Sequence, residues 1–232
     1  MKQNTSKQMT TTLPQDTTPP NPQPKALRVL ANIITYLFHP VFFPLIAAFA
    51  ILELEPAGFI GLTQKQLVMW FASIGLTAVF FPLFSILLMK QLDFISSYRM
   101  PTAKERTIPL MATMIFYFWV SHVFNNMPGA PVPLALKVML LGCFWGIIGV
   151  FMINIFTKIS LHTTAAGGMV GVVVVLMLTS PANMLPALFA SIVLAGIVGT
   201  ARMVLGAHQR GDIWVGYIIG FAAQMAAYRY MR

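Results

Sequence analysis

Residues 134–156 read LALKVMLLGCFWGIIGVFMINIF, 23 positions carrying one charge, Lys137. A helix needs about 20 apolar residues to cross a hydrocarbon core of about 30 Å, so this stretch predicts a membrane span. Comparable apolar stretches lie on either side, at roughly 28–53, 66–89, 108–125, 162–180, 184–206 and 213–229. The last is the shortest and ends in Tyr228-Arg229-Tyr230. Between spans, Asn126-Met127-Pro128-Gly129 and Thr179-Ser180-Pro181-Ala182-Asn183 carry turn chemistry. The expectation is an all-α, polytopic transmembrane helical bundle of 6–7 spans. Residues 27–232 read as that one membrane domain, and residues 1–26 as a disordered polar tail rich in Thr, Pro and Gln. The first apolar stretch is too long, and lacks the small-residue cleavage site, for a signal peptide.

Composition supports lipid as the solvent. Charged residues make up 9% of the 232 positions, against about 25% in a soluble domain, and the mean hydropathy is +0.76. The formal charge of +9 does not point to nucleic acid, because the basic residues flank apolar runs and form no stripe. Basic flanks on a membrane protein mark the cytoplasmic side or anionic headgroups. Cys143 is the single cysteine, which excludes an intrachain disulfide.

The six acids, Asp16, Glu53, Glu55, Asp93, Glu105 and Asp212, are few enough for their neighbours to matter. Even numbers of crossings separate the polar segments around 93–107, 157–162 and 202–212, so all three are expected on one face of the membrane. Ionisable residues at spans are costly and often functional. In the first segment, Arg99 and Arg106 are seven apart, close to two helical turns. In the second, Ser160 precedes a helix start, whose free N–H groups suit an anion, and His162 is placed to give a proton to a leaving oxygen. Ser160 reads equally as a plain N-cap. In the third, His208 and Asp212 at i,i+4 read as an activated His–Asp pair on a helical turn, and Arg202 adds a guanidinium fork for phosphate. Together they fit phosphoryl transfer through a phosphohistidine, with the arginines neutralising the transferred group.

These residues resemble the three motifs of the type 2 phosphatidic acid phosphatase (PAP2) superfamily. The Ser-Arg, five residues, His, three residues, Asp motif is matched by Arg202, His208 and Asp212; Leu205-Gly206-Ala207 and Gly216 are also family-like. Pro-Ser-Gly-His is matched by Ile159-Ser160-Leu161-His162, and Lys, six residues, Arg-Pro by Arg99, six residues, Arg106-Thr107. The departures are Arg99 for Lys, Thr107 and Ile159 for Pro, Leu161 for Gly, and Ala201 for Ser. The resemblance implies a membrane lipid phosphatase with His208 as nucleophile, Asp212 orienting it and His162 as general acid. Arg99, Arg106, Arg202 and Ser160 would bind the phosphate, with Lys104 in reserve if Arg99 points away. No metal or other cofactor is implied, and no cluster of His, Cys or carboxylates has ligand spacing.

His39 and His122 have no charged partner nearby in sequence and read as packing or interfacial residues, while Pro40, Pro44 and Pro82 are expected to kink spans. Lys104 and Glu105 read as a surface pair. Eleven of the fifteen Lys and Arg fall on the motif side, against Lys65, Lys137, Arg229 and Arg232 opposite, which places the motifs in the cytoplasm of a cell (inner) membrane protein. Many members of the superfamily work on the outer or lumenal face, so the resemblance pulls the other way. The substrate is expected to be a lipid phosphate or diphosphate held in the bilayer; phosphatidic acid, phosphatidylglycerol phosphate and polyprenyl diphosphate all fit. Two other readings stand beside hydrolysis: a phosphotransferase on the same scaffold, and a silent lipid-binding or transport protein.

Overall fold

A computed structural model describes residues 23–98, 100, 102–129 and 131–232. Arg99 and the tail up to residue 22 lie outside the described residues. The elements are helical: α1 (Lys25–Leu37), a 3-10 turn (Pro40–Phe42), α2 (Phe43–Leu54), a second 3-10 turn (Pro56–Phe59), α3 (Gln64–Ile74), a π-helical stretch (Gly75–Phe80), α4 (Phe81–Gln91), α5 (Ala103–Asn125), α6 (Leu134–Asn154), α7 (Leu161–Thr179), α8 (Leu185–Val204) and α9 (Arg210–Met231). No strand occurs among the described residues.

Among the described residues six stretches are long and apolar enough to cross a membrane: Lys25–Leu54, Gln64–Gln91, and each of α5 to α8. The α9 helix, with Arg210, Asp212 and Gln224, is not among them. It nevertheless packs along α7 and α6, burying Ile213, Gly216, Gly220, Ala223, Gln224 and Ala227. Phe124, Ile51, Ile74, Leu136, Met139 and Leu140 fill the space between spans. Ile115, Phe189 and Trp214 stay exposed on the outside, where the solvent is lipid.

Both N-terminal spans are interrupted next to prolines. At the first, His39 adopts an extended backbone (φ −66°, ψ 132°) and its Nδ1 accepts the Val41 N–H at 3.4 Å. Pro40 then has no N–H to return to α1. At the second, the π-helical stretch runs directly towards Pro82 near the start of α4.

The α7–α9 crossing brings two helix starts together. Gly167 sits against the Tyr217 backbone and Gly220 against the Thr164 carbonyl, so close that a Cβ at either position would overlap main-chain atoms. Small residues permit this approach, which side chains of ordinary size would block. As a result the first turn of α7 and the first turn of α9 are held side by side, with the Ser160 N–H 3.4 Å from the Asp212 carbonyl.

Candidate active site

The three polar segments meet at one end of the bundle. Arg106 comes from the first turn of α5, which starts at Ala103 because Thr102 caps it, its Oγ1 accepting the Glu105 N–H at 3.3 Å. The guanidinium donates through Nη1 to the Ile159 carbonyl (3.1 Å) and through Nε to the Met100 carbonyl (3.4 Å). It thereby ties the loop before α5 to the loop before α7. Asn154, buried at the end of α6, adds a 2.8 Å bond from Nδ2 to the Ala103 carbonyl.

Ser160 is fully buried and caps α7, its Oγ accepting the Thr163 N–H at 3.4 Å. The hydroxyl thus does the ordinary work of an N-cap. Leu161, where the superfamily motif has glycine, packs its side chain against the apolar core.

Gly206, at φ +61°, terminates α8 in the left-handed conformation that favours glycine. The chain then turns back so that His208 lies just before Gln209, the N-cap of α9. His208 and Asp212 are therefore not on one helical turn, as the i,i+4 spacing predicts; the helix begins between them. Asp212 Oδ2 accepts the Gln209 N–H at 3.0 Å, and Oδ1 accepts from the Thr157 hydroxyl at 3.4 Å. His208 Nδ1 is 3.8 Å from Asp212 Oδ2 but 3.2 Å from the Lys158 carbonyl. A carbonyl can only accept, so this contact puts the proton on Nδ1 and leaves Nε2 bare. The main-chain carbonyl is the nearer partner of Nδ1 and the carboxylate the farther one.

The His208 side chain is 2% exposed. Burial, followed by the positive charges of Arg202 and Arg106, pushes its pKa from 6.5 down to about 4. The ring is neutral near pH 7, as a nitrogen nucleophile must be. Lys158, from the loop ahead of Ser160, is lowered too, first by burial and then by Arg106 and Arg202. Three cations, Arg106, Lys158 and Arg202, therefore crowd one point, with Asp212 the carboxylate acting on Arg106 and Lys158. Arg202, in the last turn of α8, has a buried Nε with no hydrogen-bond partner. A buried orphan donor on a fixed cation is a ready anion ligand.

His162, second residue of α7, points towards the end of α1: its Nε2 is 3.2 Å from the Thr35 carbonyl. The His39 ring stands nearly perpendicular to it, with centroids 5.4 Å apart. His39 thus packs against His162. Sequence reasoning also passed over Lys158, although a cation two residues ahead of Ser160 was a usable signal. Lys104 is exposed, and Glu105 forms no ion pair with it, accepting instead from the Ser96 N–H at 3.0 Å. Beside His39 and His162 lies a small cavity of about 50 Å³, walled by Phe38, Phe43, Ile46, Met169, Leu194 and Val198. Among the described residues no group of three His, Cys, Asp or Glu is placed to hold a metal ion.

Comparison with curated proteins and with solved structures returned no match. One family model does match, and its span takes in Ser160, His162, Arg202, His208 and Asp212 while leaving Arg99 and Arg106 outside. From Asn154 to Arg232 the chain matches the model of the PAP2 superfamily, the same superfamily its motifs resemble.

Proposed function

We propose that this protein is a metal-independent membrane phosphatase that hydrolyses a lipid phosphate or diphosphate through a phosphohistidine. The match over residues 154–232 supports phosphatase-type activity in general. The observation that carries the finer reading is a neutral His208, its Nε2 bare, set among Arg106, Lys158 and Arg202. In the first step Nε2 bonds to phosphorus as the bond to the leaving oxygen breaks, and His162 gives that oxygen a proton. In the second, a water oxygen bonds to phosphorus as the phosphorus–nitrogen bond breaks, and the water gives a proton to His162. Phosphate leaves and His208 returns to its starting form. The cations offset charge on the transferring group in both steps, and residues 27–232 act as one catalytic membrane domain.

A lipid substrate is supported by the apolar walls beside His162, which put apolar surface next to the phosphate. The excess of Lys and Arg at the motif end supports a cytoplasmic site. A reporter fused after Ala182, in the turn between α7 and α8 at the end opposite the motifs, tests that orientation: periplasmic activity supports it and cytoplasmic activity overturns it. The function itself is tested by phosphate release from a panel of lipid phosphates in EDTA. Release by the wild type and none by His208→Ala is expected. Equal release by the variant, or none from any substrate by the wild type, overturns the proposal.

A further inference from the structure

The first span breaks where it meets His162, and the break supplies the atoms that hold that ring. The α1 helix ends at Leu37, so the carbonyls of its last turn have no partner within the helix. The extended backbone of His39 and the missing N–H of Pro40 keep the helix from continuing. One of the freed carbonyls, that of Thr35, accepts from His162 Nε2 across 127 positions of sequence. His39 is itself held: its Nδ1 accepts the Val41 N–H, and its ring stands at 82° to the His162 ring. A hydrogen bond to Thr35 and a perpendicular ring contact leave the imidazole little freedom to turn.

We propose that His39 and the Thr35 carbonyl are positioning groups for the proton-transfer step, an inference that rests on the phosphatase reading above. With Nε2–H committed to Thr35, Nδ1 is the nitrogen that carries the transferred proton. It gives that proton to the departing oxygen as the phosphorus–oxygen bond breaks, and the ring is left neutral with Nε2–H still on the carbonyl. The perpendicular His39 ring sets the rotation that aims Nδ1. The break in the first span therefore belongs to the site, although it lies far outside the stretch that matches the superfamily.

The test separates leaving groups. His39→Asn keeps an N-cap acceptor for the turn at Pro40 but removes the ring. Purified wild type, His39→Asn and His162→Asn are compared on hexyl phosphate, whose alkoxide must be protonated, and on nitrophenyl phosphate, whose phenolate leaves unaided. Because each comparison is a ratio within one protein, a smaller folded fraction cancels. The loss on hexyl phosphate is expected to exceed the loss on nitrophenyl phosphate by about 10- to 100-fold in His39→Asn, in the same direction as in His162→Asn. An unchanged ratio in His39→Asn beside a changed one in His162→Asn overturns the positioning role alone. An unchanged ratio in both overturns the acid role of His162 and this inference with it.

Discussion

Replacing Arg202 by Gln removes a charge from beside His208 while keeping much of the side chain. Keeping His208 neutral down to about 4, where an ordinary histidine protonates at 6.5, disfavours its charged form by roughly 3 kcal/mol. Burial is the larger cause, with Arg202 and then Arg106 behind it. In Arg202→Gln the titration should therefore move up from about 4 yet stop short of 6.5. Imidazole NMR of the protein in micelles, with His208 assigned by its loss in His208→Asn, reads this directly. The sign also fixes the stability profile. The folded value lies below the unfolded one, so the contribution is full above about 6.5 and declines as pH falls through about 4. Wild-type His208 titrating near 6.5, or Arg202→Gln leaving it at about 4, would refute the reasoning.

Gly220→Ala forces a Cβ onto the Thr164 carbonyl; a loss of about 1–3 kcal/mol is expected for such overpacking, measured by unfolding in detergent, together with reduced turnover. Asp212→Asn should lower kcat/KM by less than His208→Ala does, because the Lys158 carbonyl still holds Nδ1; steady-state kinetics on one lipid phosphate would show equal losses if the carboxylate were the sole orienting group. Glu105→Ala frees the Ser96 N–H and with it the loop that leads to Arg99, so KM should rise more than kcat falls.

The spans were legible because lipid demands long apolar helices and tolerates little else. The stretch read at 134–156 became Leu134–Asn154, and 162–180 became Leu161–Thr179. The start of α5 was missed by five residues, since 103–107 is polar and its helicity rests on the Thr102 cap, which hydropathy does not register. The convergence of Arg106, Ser160 and Asp212 followed from counting crossings, a property of the whole chain. His39 was not legible: its partner lies on another helix more than a hundred positions away, and no local pattern encodes that meeting. The relation of His208 to Asp212 was half legible, because spacing cannot tell a helical turn from a helix start with its own capping box.

The central claim is that His208 carries the phosphoryl group. Its most direct test is rapid quenching of the protein with a lipid phosphate labelled at phosphorus, followed by mapping of the protein-bound label. An acid-labile, alkali-stable label on His208, absent from His208→Ala and turned over at the rate of phosphate release, is the predicted result. Full phosphate release with no label on His208 would contradict it.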